Sequence, residues 1–198
     1  MDGPQFTQSE LEACIGPPLR PVFARLLNST DPAIPEAALA YYRERYSVVG
    51  LTECEIYPGI EQMLVDLRRS GHRLYVATSK PTVYARRILK HFELAGYFDG
   101  IYGSELDGTR DDKAELIQYV VDTARLIAAD CAMVGDRRFD IIGALAAGLT
   151  PVGVTYGFGS REELEEAGAR YLSATPTQTV QVISSIERYT RLPVVDPT

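Results

Sequence analysis

Apolar positions along the 198-residue chain change their spacing near Tyr57. Before it they recur at helical intervals: Val22, Phe23, Leu26 and Leu27 within 20–28, and Leu39, Tyr42 and Tyr46 within 35–46. A shorter helix is expected over 8–14. Gly16-Pro17-Pro18 and Ser29-Thr30-Asp31-Pro32 separate these helices, and nothing before Tyr57 reads as a buried strand. After it, Pro58 suits a first helical position, and the stripe Ile60, Met63, Leu64, Leu67 stops before Gly71. Short apolar runs then alternate with helical patterns. Strands are expected over 73–78 (buried on both faces), 100–103, 131–134, 151–155 and 171–172, with helices over 82–91, 113–126, 139–147, 161–167 and 177–189. Ser160 and Glu163 form a capping box for the 161–167 helix, with Gly168 at its end. This alternation predicts an α/β fold with a parallel sheet covered on both faces, whose chemistry gathers at the carboxyl ends of the strands.

Composition narrows the function classes. With 20 basic against 27 acidic residues the net charge is −7. No basic stripe interleaved with aromatics is present, which argues against a nucleic-acid surface. No apolar run approaches a membrane span and the first ten residues lack a secretory pattern, so a cytoplasmic location is the default expectation. Cys14, Cys54 and Cys131 are widely spaced, as reduced cysteines that pack as small hydrophobes would be.

Candidate chemistry is densest at 131–148, C-A-M-V-G-D-R-R-F-D-I-I-G-A-L-A-A-G. Asp136 and Asp140 stand at i, i+4 where a strand hands over to a helix, so both carboxylates fall on one face near the helix start. Close carboxylates repel unless a cation or a proton comes between them, and Mg²⁺ needs only one or two protein carboxylates. On this motif alone, a pair complementing the helix dipole is an equal alternative. Two further segments end or follow strands. Ala77-Thr78-Ser79-Lys80-Pro81 offers hydroxyls and N–H groups to an anion, and Lys113 in D-D-K-A-E-L-I offers an ammonium.

Hydroxyl, lysine and acidic pair in this order resemble the second, third and fourth motifs of the haloacid dehalogenase-like superfamily. Y-P-G-I (57–60), A-T-S-K-P (77–81), M-V-G-D-R-R-F-D-I-I-G-A (133–144) and V-T-Y-G-F-G-S-R-E-E-L-E-E-A-G-A (154–169), with I-G-P-P-L-R (15–20), are similar to its phosphoglycolate-phosphatase and bacterial 5′-nucleotidase-like branch. The resemblance implies a Rossmann-like parallel core over 56–190, a helical cap over 1–55 and a tail over 191–198. It implies a Mg²⁺-dependent phosphatase acting on a small phosphorylated metabolite. Thr78 would bind the phosphoryl oxygen, Lys113 would steady it, Asp136 would ligate Mg²⁺, and Asp140 would orient the ligand sphere. Ser79, Lys80 and Arg20 are the candidate substrate contacts, a solvated helix-start charge being the equal alternative for Arg20.

The family begins with an apolar strand ending in D-x-D-G-T, whose first Asp is the nucleophile, and the 198 residues contain no such segment. Asp2-Gly3 follows no strand, and Glu105-Leu106-Asp107-Gly108-Thr109 is expected to be a decoy before Lys113. The missing strand would lie mid-sheet, between the strands ending at Thr78 and Val134. A start site placed too late, or a truncated sequence, is the preferred explanation, and this chain is expected to be inactive. Borrowing a strand in a homodimer is one way to fill the sheet. The alternatives are a non-catalytic phosphate- or partner-binding domain and a phosphotransferase. A dinucleotide-binding reading fails, because Gly157-Phe158-Gly159 lacks the G-x-G-x-x-G pattern and more naturally shapes a tight loop.

Overall fold

A computed structural model describes residues 5–190. Asp2-Gly3 and the tail over 191–198 lie outside the described residues. The helices are α1 (Gln8–Glu12), α2 (Leu19–Leu26), α3 (Ala33–Arg45), α4 (Ile60–Arg69), α5 (Thr82–His91), α6 (Lys113–Thr123), α7 (Arg138–Ala146), α8 (Arg161–Glu166) and α9 (Pro176–Thr190). The strands are β1 (Tyr75–Pro81), β2 (Gly100–Ser104), β3 (Ala132–Gly135), β4 (Thr150–Val154) and β5 (Tyr171–Ser173). The elements expected from the periodicity are all present, with ends displaced by at most three residues. Three short turns were not foreseen: 3-10 turns at Ala95–Tyr97 and Ala128–Asp130, and a π-helical turn, Tyr46–Gly50, into which α3 runs on. No described helix is long and apolar enough to cross a membrane.

The chain forms two compact units. One holds the segment up to Ile56 together with Leu74–Leu116; the other holds Tyr57–Arg73 and the segment from Ile117. In the first, β1 and β2 pair in parallel, from Tyr75 opposite Gly100 to Thr78 opposite Gly103. The register then slips, so that Pro81 faces Ser104 and Ser79-Lys80 bulge out of the ladder. Gly103 makes room for this, since a Cβ there would lie 2.2 Å from the Lys80 carbonyl oxygen. Ser104 closes the bulge by donating its hydroxyl to the Ser79 carbonyl at 2.9 Å. Leu39, Leu51, Tyr84, Ala85 and Leu94 supply buried apolar surface in this unit.

The second unit is a parallel sheet in the order β3-β4-β5. Val152 and Val154 of the middle strand are 0% and 5% exposed. Helix α7 packs Ile141 and Ala144, both fully buried, on β3 and β4, while α4 lays Leu64 and Leu67 toward α9. Among the described residues, β1 and β3 each have a ladder partner on one edge only. The expectation that the β1 segment is buried on both faces is accordingly not met: its residues are half-buried, apart from the exposed Lys80.

Helix α7 is apolar nearly all round, and its rotational phase decides which side chains matter. Ile141 is 0% exposed and its neighbour Ile142 is 52% exposed. Ile141→Ala should lower unfolding free energy by about 2–5 kcal/mol, and Ile142→Ala by about 0.5 kcal/mol or less. Urea denaturation of both variants checks this; equal losses would mean the phase is wrong.

Candidate active site

The first unit holds Thr78, Ser79, Lys80 and Lys113, the candidates for contact with an anion. Strand β1 delivers Thr78, Ser79 and Lys80 at its carboxyl end. The Thr78 Oγ1 accepts a hydrogen bond from the Lys80 backbone N–H at 3.2 Å. That leaves the Thr78 hydroxyl hydrogen to be donated elsewhere. Lys113 opens α6, and its Nζ donates to the Ala77 carbonyl at 2.9 Å, one residue from Thr78. The structure thus brings Thr78 and Lys113 together at one strand end. Lys80 lies with its Nζ 5.3 Å from the centroid of the Tyr46 ring, within cation–π range. Protein packed around this ammonium pushes its pKa below the ordinary 10.5; the side chain keeps solvent access, which limits the shift.

Tyr46 belongs to an aromatic ladder. It stacks on Tyr42 at 5.0 Å and meets Tyr84 edge-on at 5.5 Å. Burial, reinforced by neighbouring phenols and Cys54, pushes the Tyr42 and Tyr46 hydroxyls up to about 12. Tyr46, between Tyr42 and Tyr84, is the first residue of the unforeseen π-helical turn.

Arg20 sits at the start of α2 with its side chain 29% exposed, and it is engaged. Its Nε donates to Glu36, its Nη2 to the Leu106 carbonyl at 3.2 Å, and its Nη1 lies 3.6 Å from Asp111. It therefore fastens α2 and α3 to the loop after β2. In that loop Glu105 pairs with Arg110, and Asp107 accepts the Thr109 N–H at 2.9 Å. Both acids of the E-L-D-G-T sequence shape their own turn.

The acidic pair belongs to the second unit. Asp136 follows β3, and its Oδ2 accepts the Phe158 N–H at 2.8 Å. Asp140, 8% exposed, lies in the first turn of α7, and its Oδ2 accepts the Arg137 N–H at 3.1 Å. Glycines permit this closeness. A Cβ on Gly157 would lie 2.4 Å from the Asp136 side chain, one on Gly159 would lie 2.1 Å from the Asp136 carbonyl oxygen, and one on Gly135 would overlap Asp140. Tyr57 and Tyr156 meet edge-on at 5.8 Å, and their phenol pKa values are raised by burial and by the Asp136 charge. Among the described residues the Asp136 Oδ1 has no hydrogen-bond partner. No described group of three or more His, Cys, Asp or Glu side chains is arranged to hold a metal. A hard cation that keeps most of its waters, as Mg²⁺ does, fits a donor set of one open carboxylate oxygen backed by a second buried acid.

Glu163 escaped the sequence reading as a site residue. The Ser160 half of the expected capping box is formed, with the Glu163 N–H donating to Ser160 Oγ at 3.1 Å. The reciprocal half is not. The Glu163 carboxylate instead accepts from Arg137 Nε and from the Arg138 backbone N–H, both at 2.9 Å. Charge-assisted bonds to a guanidinium outweigh a local backbone bond. Only the recurrence of acid and arginine on two different strand-to-helix turns could have hinted at it.

Burial works to raise the Glu163 pKa, but the Arg138 amide, the Arg137 hydrogen bond and the two guanidinium charges hold it below the ordinary 4.5. A depressed folded-state pKa stabilises the fold above the unfolded value and loses that contribution as pH falls through the folded value. The stability difference between wild type and Glu163→Gln should therefore be largest near neutrality and shrink below about pH 4.5. Urea unfolding of both proteins across this range measures it; a constant difference would show that the ionised form is not the stabilising one.

The chain matches the haloacid dehalogenase-like hydrolase family over residues 1–154. It is 45% identical over 177 residues to a 5′-nucleotidase of Pseudomonas aeruginosa, covering 89% of this chain and 80% of the relative. It is 34% identical over 163 residues to the tyrosine-protein kinase PtkA of Mycobacterium tuberculosis, covering 82% of this chain and 55% of that protein. A solved structure described as a predicted phosphatase from Clostridium acetobutylicum superposes with a TM-score of 0.87 at 42% identity, covering 91% of this chain and 83% of the other. The chain belongs to the haloacid dehalogenase-like hydrolases and carries the fold of their phosphatases.

Proposed function

We propose that the site serves a Mg²⁺-dependent phosphomonoester hydrolase acting on a small phosphorylated metabolite. The observation that carries this reading is the Lys113 ammonium seated 2.9 Å from the carbonyl next to Thr78. It places a fixed positive charge and a hydroxyl donor at one strand end, as capture of a phosphoryl group requires. Asp136 would hold Mg²⁺ through Oδ1, with Asp140 orienting the sphere; the ion, when bound, supplies charge neutralisation to the phosphoryl oxygens. At the end of β1, Thr78 would donate its hydroxyl, and Lys113 would lend its positive charge, to a phosphoryl oxygen. Ser79 and Lys80, displaced by the bulge, present further donors at the same strand end. Arg20 would contact substrate only by exchanging Glu36 or Asp111 for it. The 5′-nucleotidase relative makes a nucleoside monophosphate the first substrate to try.

The attacking carboxylate is not among the groups described, and the 198 residues contain no D-x-D-G-T segment. Turnover by this chain alone should therefore be at background. A second reading, transfer of the phosphoryl group to a protein hydroxyl, draws support from the kinase named among the relatives; it needs the same core and differs in the acceptor.

Phosphate release from nucleoside monophosphates and phosphoglycolate is the test, measured with Mg²⁺ on the 198-residue chain and on the chain extended by an apolar strand ending in D-x-D-G-T. Background release from the first is expected, and from the second a Mg²⁺-dependent release that Asp136→Asn reduces by about 100-fold or more, the scale of losing one transition-state electrostatic contact. Activity in the unextended chain that Glu105→Gln or Asp107→Asn abolishes would move the nucleophile to the E-L-D-G-T loop. Phosphorylation of added protein in place of phosphate release would favour the transferase.

A further inference from the structure

Three hydroxyls meet where β4, β5 and α9 come together at the carboxyl end of the sheet. Ser173 ends β5 and Thr179 lies in the first turn of α9; they are 1% and 0% exposed. Their hydroxyl oxygens are 2.7 Å apart, and the Tyr156 phenol oxygen lies 3.4 Å from Thr179 Oγ1. Thr179 has one hydroxyl hydrogen, which it gives to the Thr175 carbonyl at 3.2 Å, so its lone pairs accept from Ser173 and Tyr156. The direction of each bond is thereby fixed. Thr155, the residue after β4, adds a backbone tie by donating its N–H to the Ser173 carbonyl at 3.0 Å. Apolar side chains of similar shape would fill the same space without the cost of desolvating hydroxyls, so what these bonds add is a fixed geometry.

What that geometry serves lies two residues on. Tyr156 is followed by Gly157-Phe158-Gly159, and the Phe158 N–H donates to Asp136 Oδ2 at 2.8 Å. The loop lies hard against this acid: a Cβ on Gly157 would stand 2.4 Å from the Asp136 side chain, and one on Gly159 would stand 2.1 Å from its carbonyl oxygen. A shift of the loop by about 0.5 Å takes the Phe158 bond past the usual limit of about 3.2 Å in one direction, and drives backbone into the acid in the other. Tyr156 sets the approach of the loop, with Tyr57 meeting its ring at 5.8 Å and Thr179 holding its hydroxyl. We propose that Thr179 is a positioning residue: through the Tyr156 hydroxyl it sets the 157–159 loop, and so keeps Asp136 Oδ2 on the Phe158 amide and Oδ1 for a divalent cation. This rests on the reading of Asp136 as the cation-facing acid. Thr179 forms no hydrogen bond to Asp136 itself; it acts through Tyr156 and the loop.

The ¹⁵N-labelled 198-residue chain serves for two measurements. Without metal, hydrogen exchange at the Phe158 amide is compared with exchange at Val152, the 0% exposed centre of β4, which follows the stability of the sheet as a whole. Thr179→Val keeps the shape and loses the hydroxyl. It should speed exchange at Phe158 by about fivefold or more beyond any change at Val152, the scale of one net hydrogen bond. Thr179→Ser keeps the hydroxyl and should exchange as the wild type does. A Mg²⁺ titration followed through the Gly157 and Phe158 amide shifts should then show binding weakened by about 10-fold in Thr179→Val, the usual scale for losing an outer partner of a metal site, and wild-type affinity in Thr179→Ser. Phe158 exchange that rises no more than that of Val152, a serine variant no better than the valine one, or unaltered Mg²⁺ affinity in Thr179→Val overturns the proposal while leaving Asp136 as the cation-facing acid. If Thr179→Val does not fold, Tyr156→Phe takes its place, since it removes a single hydroxyl and keeps the ring. Faster Phe158 exchange and weaker Mg²⁺ binding are again expected, and wild-type values overturn the idea. A Mg²⁺ response that survives Asp136→Asn, or none in the wild type, removes the reading of Asp136 itself and this inference with it.

Discussion

Asp136 follows β3 and Asp140 lies in the first turn of α7, so one strand-to-helix turn carries two negative charges that its surroundings must stabilise. Each acid gives one oxygen to a backbone N–H, Asp136 to Phe158 and Asp140 to Arg137. Peptide dipoles fixed in this way stabilise negative charge without adding a competing cation, and the other Asp136 oxygen has no hydrogen-bond partner among the described residues. The glycines at 135, 157 and 159 follow from the same need, since the Phe158 amide reaches the carboxylate only because no side chain stands in the way. Arginines flank the pair and are held on Glu163.

The other unit handles charge of the opposite sign by comparable means. The slip between β1 and β2 pushes Ser79-Lys80 out of the ladder, and groups released there are taken up locally, the Ser79 carbonyl by the Ser104 hydroxyl and the Lys80 N–H by Thr78 Oγ1. Lys113 is fixed by the Ala77 carbonyl and Lys80 lies against Tyr46. Arg20 meanwhile anchors the loop after β2, which gives that arginine a structural task whatever else it touches. Half-burial of β1, with a ladder on one edge only, marks it as a strand with unmet pairing capacity, in contrast to the fully enclosed β4.

The apolar spacing determined by itself that helices precede an alternating parallel α/β region, because the two periods are imposed by local backbone geometry and by which face must leave water. Thr78 in β1, Asp136 after β3, and Lys113 and Asp140 in the first turns of α6 and α7 became candidates for a related reason: parallel strands export their chemistry to their carboxyl ends and the turns that follow. The tertiary structure alone decided what depends on partners distant in sequence. Ser160 and Glu163 spell a capping box, yet the Glu163 carboxylate went to arginines some 25 positions away, since charge-assisted bonds outweigh a local amide. Arg20 looked as well suited to substrate as to water until Glu36, Asp111 and the Leu106 carbonyl closed around it. The β1 bulge and the π-turn under Tyr46 were likewise invisible, because a register slip is set by the neighbouring strand and a π-turn by packing, and neither leaves a period in the sequence.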